Sequence, residues 1–194
     1  MSPATSDASS PAAGPPPGRE VVRTYLELTE PDALRPADFP DAHVVRVTSR
    51  APCTVAEYRA LYDAVGRTYH WRDRLAWSDE RLAEWLARPE VVVRVLERRD
   101  AVTTERWEPA GYYELVRHAD GAVELVYFGL VRAAQGAGLG RALLTHAVRH
   151  AWTMDATRVW LHTCTLDAPT ALPNYLARGF RVTGEERYTV PAEG

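Results

Sequence analysis

Three glycines at alternate positions, Gly136, Gly138 and Gly140, separate an apolar run at 126–131 from a helical pattern at 142–148. A glycine-rich turn between a strand and a helix leaves backbone N–H groups pointing outward, with the positive end of the helix behind them. Such a turn binds an anion, and a pyrophosphate suits it. Each charge-assisted N–H···O bond there contributes roughly 1.5–3 kcal/mol, and the helix dipole adds about 0.3–1 kcal/mol. Two nucleotide-binding loops do not fit. A dinucleotide fingerprint needs glycine where Arg141 stands. A P-loop needs lysine, and all 23 basic residues of this chain are arginine. The absence of lysine also removes Schiff-base chemistry.

What remains is Gln135-x-x-Gly138-x-Gly140, followed downstream by Trp160-Leu-His-Thr-Cys-Thr165 and then Tyr175-Leu-Ala-Arg-Gly179-Phe180. The loop resembles the acyl-coenzyme A loop of the GCN5-related N-acetyltransferases (GNAT), whose pattern is Gln/Arg-x-x-Gly-x-Gly/Ala. Tyr-x-x-x-Gly-Phe at this distance is similar to the second half of the same signature. The resemblance covers roughly 122–182 by motif and the first half of the chain by element order. It implies an acetyl-CoA-dependent N-acetyltransferase acting on a small-molecule amine by direct attack. The fold implied is α/β, a mixed central sheet flanked by helices, with two parallel strands (122–131 and 158–165) splayed at the cofactor cleft. Backbone near Leu130 and Val131 would hydrogen-bond the pantetheine arm. Amides of Gln135, Gly136, Ala137, Gly138, Leu139, Gly140 and Arg141 would hold the pyrophosphate. A non-catalytic acyl-CoA-binding sensor of the same fold is the alternative, and a longer acyl donor is open as well.

Tyr175 maps onto the family's tyrosine that protonates the departing thiolate, a role a phenol near the sulfur can fill on chemical grounds too. Packing against Phe180 is the other reading of that residue. Many relatives carry asparagine seven residues before this tyrosine; here Ala168 stands there and Asn174 adjoins Tyr175, so Asn174 is the expected asparagine contact. Pro173 would break a helix interior unless the helix begins beside it.

A protonated amine cannot attack a thioester, so a group or a water chain must take its proton. Glu124 is the expected base, because the family often places a glutamate there; Glu114 and His162 compete. Strict alternation would put Glu124, Val126 and Phe128 on one face of the strand and Tyr127 and Gly129 on the other. Cys164 as an acyl-enzyme nucleophile is not needed for direct transfer. The segment Tyr69-His70-Trp71-Arg72-Asp73-Arg74 with Trp77 joins two helical patterns, where the family generally covers its acceptor pocket. Tyr69, Trp71, Arg72, Arg74 and His162 are therefore candidate substrate residues, the guanidinium groups suiting a carboxylate. Arginines snorkelling over core tryptophans are the competing reading.

These residues must be positioned by an ordinary set of elements. Strands are expected at 20–28 and 43–48. Thr54-Val-Ala-Glu57 forms a capping box that opens a helix. Ser78 caps a second helix, with Pro89 beyond its end. Strands at 91–98, 110–117 and 122–131 follow, the last two joined by a turn at 118–121. A helix from 138 to about 155, a strand at 158–165, a helix at 169–178 and β structure at 179–190 complete the order. Residues 1–18, rich in Ala, Pro and Ser, are expected to be a disordered tail, and 19–194 a single acetyltransferase domain.

A net charge of −3 argues against nucleic acid and membrane surfaces as partners. Two cysteines supply neither a disulfide framework nor a metal quartet, so no metal is expected, and they suit a cytoplasmic setting. A homodimer is open, since this fold often pairs through its terminal strands.

Overall fold

The computed structural model describes residues 18–40, 43–69, 71–99 and 106–191; the expected tail falls outside these, except for Gly18. The elements run β1 (Arg19–Leu28), β2 (Val45–Arg50), α1 (Val55–Gly66), α2 (Asp79–Leu86), β3 (Val91–Arg99), β4 (Trp107–Arg117), β5 (Val123–Leu130), α3 (Leu139–Trp152), β6 (Val159–Cys164), α4 (Ala171–Ala177) and β7 (Arg181–Val190). That is the expected order. The ends shift by up to three residues: β2 runs two residues later, β4 reaches back to include Trp107, and α3 stops at Trp152. No helix among the described residues is long and apolar enough to cross a membrane.

Local chemistry accounts for the helix starts. The Thr54 hydroxyl accepts from the Glu57 N–H at 3.2 Å, and the Glu57 carboxylate accepts from the Thr54 N–H at 3.1 Å, which closes the capping box of α1. Ser78 caps α2 by accepting from the Arg81 N–H at 3.3 Å. Pro173 lies in the first turn of α4, where a backbone N–H would have no intrahelical acceptor, so the helix tolerates it.

The seven strands form one sheet, ordered β2-β3-β4-β5-β6-β1-β7. One face is covered by α3 and α4 over an aliphatic core that includes Leu26, Leu115, Leu125, Leu143 and Leu161. The other face, under α1 and α2, is aromatic, with Tyr58, Tyr62, Tyr112 and Tyr127. Every pairing is antiparallel except β5 with β6, which is parallel and consists of Val123↔Val159 and Glu124↔Trp160 alone. Past that point β5 continues along β4 to Leu130, while β6 continues along β1 as far as the Arg23↔Cys164 pair. The two strands part, and the gap between them is the cleft.

A bulge adjusts β5 just there. Tyr127 opposes Glu114 and Leu125 opposes Leu115, so Val126 is the extra residue. The expected alternation therefore fails: Phe128 shares the α3/α4 face with Leu125, and Glu124 lies on the opposite face. Gly129 follows on the α1 side, where a Cβ would come within 2.4 Å of Val65 Cγ1. Only glycine lets α1 sit this close to the strand.

Candidate active site

The cleft measures about 590 Å³ and runs from the glycine loop, between the parted strands, to a mouth between the α1–α2 connection and the ends of β1 and β7. At the loop end, Gly136 and Gly138 have φ of +82° and +75°, the left-handed region that glycine enters without steric cost. Gly138 is the N-cap of α3 and supplies no side-chain acceptor to its first turn. The loop's turn hydrogen bonds end at the Gln135 N–H, and among the described residues none is donated by the main chain of Gly136 to Gly140. An uncapped helix start whose N–H groups face a cavity is where an anion gains most. Gly136, Gly138, Gly140 and Arg141 line that end of the cleft. Ala137 is exposed, and Leu139 sends its side chain into the core, so only their main chains belong to the loop.

Gln135 has a different task from its neighbours. Its amide donates to the Leu130 carbonyl at 3.2 Å and to the Tyr69 hydroxyl at 2.9 Å, tying the loop to β5 and to the turn after α1. Val131 is also committed: its N–H donates to the Ala110 carbonyl at 3.0 Å. Alternate residues of a strand turn their N–H and C=O to opposite sides. Leu130 therefore presents its N–H to the gap, and Val131 faces β4 instead.

Tyr175 is the one buried residue of α4. Its ring packs against Phe128 and Phe180, each with centroids 6.1 Å away, and it lines the cleft beside Asn174 and Ala168. The packing reading is observed, and the same ring is open to the cleft. Burial raises its pKa, so the phenol keeps its proton at neutral pH.

The base candidates separate in space. Glu124 sits at the point where β5 and β6 part, outside the cleft lining, and its carboxylate accepts from His118 Nε2 at 2.9 Å. Glu114 is fully buried; it accepts from the Tyr58 hydroxyl, from Arg74 Nη2 at 3.0 Å and from Trp85 Nε1 at 2.9 Å. His162 lines the cleft, its ring 6.0 Å from Tyr25. The cleft walls partly desolvate it and Arg23 adds positive charge, which together lower its pKa against the opposing pull of Glu124, Asp167 and Asp73. It is uncharged at neutral pH. Cys164 also lines the cleft, with its thiol pKa raised by burial, the reverse of what a thiolate nucleophile requires.

The expected substrate residues divide as well. Tyr69, Trp71 and His162 line the cleft. Arg72 is exposed and outside the lining, and His70 lies outside the described residues. Arg74 is a correction: it is buried on Glu114, with its guanidinium carbon 3.9 Å from the ring centre of Trp77 and 4.7 Å from that of Trp85. A guanidinium so enclosed cannot reach a substrate carboxylate. In its place the mouth carries Asp73, Asp167, Arg23 and Tyr188, none singled out by sequence. Asp167 accepts from the Thr163 hydroxyl at 2.7 Å and from the Cys164 N–H at 2.9 Å. Arg23 lies 4.9 Å from the ring centre of Tyr188. These residues come from the α1–α2 connection, from β1 and β7 and from the turn after β6, and no local spacing announces their meeting.

The family model described as Acetyltransferase (GNAT) family matches residues 58–180. No curated protein matches the chain. Among solved structures, a GCN5-related N-acetyltransferase from Sphaerobacter thermophilus superposes with a TM-score of 0.61 at 18% identity, over 91% of this chain and 53% of that one. One from Kribbella flavida gives 0.59 at 21% identity, over 91% and 61%. An aminoglycoside acetyltransferase from an uncultured soil metagenomic sample, solved with trehalose, gives 0.56 at 13% identity, over 71% and 88%. The chain thus spans between half and two thirds of the length of the first two, and at these identities the likeness is one of fold. The family match extends over more than half of the chain and includes both the glycine loop and Tyr175, the parted strands have the geometry such a loop serves, and this chain therefore belongs to the GNAT acetyltransferase family.

Proposed function

We propose that the protein transfers an acetyl group from acetyl-CoA to a small amine by direct attack, with Tyr175 as general acid. The observation that carries this reading is the uncapped start of α3 and the protonated Tyr175 opening onto one continuous cleft. The donor supplies an activated thioester; the N–H groups between Gly136 and Arg141 suit its pyrophosphate, and the gap beside Leu130 suits its extended arm. The Leu130 N–H faces the side where charge develops on the thioester oxygen.

His162 is the proton acceptor in this proposal. It lines the cleft and is neutral at physiological pH, whereas Glu124 would need a relay through solvent. Asp73, on the connection that also carries Tyr69 and Trp71, gives the mouth a carboxylate facing an incoming ammonium group.

The test is release of free thiol from acetyl-CoA across a panel of amines, alongside calorimetric titration with coenzyme A. Binding together with amine-dependent thiol release is the expected outcome. Binding without release from any amine would make the protein a sensor, and absence of binding would remove both readings.

A further inference from the structure

On the α3 side of the sheet, away from the cleft, a groove of about 500 Å³ is lined by Val47, Ser49, Arg94, His146, His150 and Thr153. Ser49, Arg94 and Tyr113 are successive cross-strand neighbours on β2, β3 and β4. His146 and His150 stand one turn apart on α3, and Nδ1 of each lies 2.9 Å from the Tyr113 hydroxyl.

Donor and acceptor capacity fixes the protons. Arg94 Nη2 lies 3.5 Å from His150 Nε2 and can only donate, so that nitrogen carries the lone pair. His150 then holds its proton on Nδ1 and donates to the Tyr113 oxygen. The Tyr113 hydroxyl in turn donates to His146 Nδ1, which leaves the His146 proton on Nε2, on the far side of the ring from Tyr113. The pair has opposite tautomers, and two donors remain for a ligand: the Arg94 guanidinium and His146 Nε2–H.

The charges around the groove are of one sign. Arg94 and Arg149 both act on His146, and Arg94 on His150. No carboxylate lines the groove, and Arg94 makes no ion pair among the described residues. A metal ion is disfavoured, since three of the four imidazole nitrogens are engaged and a guanidinium stands beside them. No group of three or more metal-binding side chains occurs among the described residues.

We propose that this groove binds a small oxyanion of the phosphate class, held by Arg94 and His146 with the Ser49 hydroxyl alongside. The site is independent of the acyl-transfer reading, because none of its residues lines the cleft. Drawing Arg94 onto an anion frees His150 Nε2 to take a proton, so binding strengthens as pH falls.

Imidazole nitrogen NMR on the full chain tests the proposal, since it reads the groove directly and ignores anions held by the glycine loop. Before ligand is added, His146 and His150 are expected as opposite neutral tautomers at pH 7. Inorganic phosphate then shifts both signals along a saturating curve. Methyl phosphate, added separately, tells a free ion from an esterified one: equal binding assigns the phosphate group itself, and weaker binding assigns the free ion. Sulfate, whose charge is constant here, binds more tightly at pH 6 than at pH 7.5. Arg94→Gln weakens binding about tenfold or more, as loss of a charge-assisted pair requires, and Arg94→Lys restores part of it. Signals unmoved at roughly 10 mM phosphate, or an Arg94→Gln variant that is folded by its amide spectrum and binds like the parent, would overturn the proposal.

Discussion

Two polar clusters in this protein draw on the same residue types and end in opposite conditions. Around Glu114, a carboxylate, an arginine, a tyrosine and two tryptophans close on one another beneath α1 and α2, and the carboxylate is wholly buried. Around the mouth of the cleft, Asp73, Arg23, Tyr188 and Trp71 line an open cavity together with His162. A buried charge must be matched within the protein, because its desolvation is costly. A charge left open at a cavity wall remains available to a ligand. Composition does not separate a structural arginine–aromatic cluster from a binding one; closure does.

The contrast can be broken by exchanging what each cluster controls. The largest effect is expected at Tyr175→Phe, which should lower kcat on the order of 10²–10⁴-fold, with little change in thermal midpoint or in coenzyme A affinity. His162→Gln should act similarly if that residue takes the proton. In the parent, a neutral base with a lowered pKa keeps kcat/KM high as pH falls to 6.5, with the decline below that value; in His162→Gln the acid limb should disappear. Glu124→Gln sharpens the point. Steady-state rates close to the parent leave the proton with His162, whereas a loss equal to that of His162→Gln would assign a relay through both residues.

Within the closed cluster the expectation reverses. Glu114→Gln leaves Arg74 a buried cation without its partner and should cost about 3–5 kcal/mol in urea denaturation. Activity per folded molecule should survive, because Glu114 and Arg74 are not among the residues lining the cleft. An inactive but stable variant would overturn the division between the two clusters.

The smallest effects separate the loop glycines. Ala at Gly138, with φ of +75° and Arg141 atoms 3.1 Å from the new Cβ, should cost roughly 1–2 kcal/mol by thermal melting. Ala at Gly140 would meet only Leu130 Cδ1 at 3.6 Å and should stabilise the helix start by about 0.5–1 kcal/mol. Equal losses at both positions would mean that backbone conformation is not what the loop selects for.

Much of this was legible in the chain. The element order, the Thr54–Glu57 capping box and the glycine turn depend on spacings shorter than two helical turns, which local hydrogen bonding and periodicity suffice to read; Tyr175 is singled out by its motif's resemblance to the family signature. One boundary slipped because a neighbour extended the strand, Glu108 and Trp107 pairing with Arg98 and Arg99. Arg74 misled because nothing in Trp71-Arg72-Asp73-Arg74 says which side chain turns inward. Phe128 misled because a bulge is set by the partner strand, and Val131 because its N–H is taken by Ala110 on β4.

The sequence by itself determined that a glycine-rich helix start follows an apolar strand, and that Tyr175 stands on a short helix downstream of it. Only the tertiary structure decided which charges close on one another and which stay open. It parted β5 from β6 after two paired residues, buried Arg74 on Glu114 from 40 positions away and brought Arg23, Asp73 and His162 to one mouth. Backbone geometry is written locally, in φ, capping and periodicity. The pairing of charges depends on distances through space, which the order of residues along the chain does not contain.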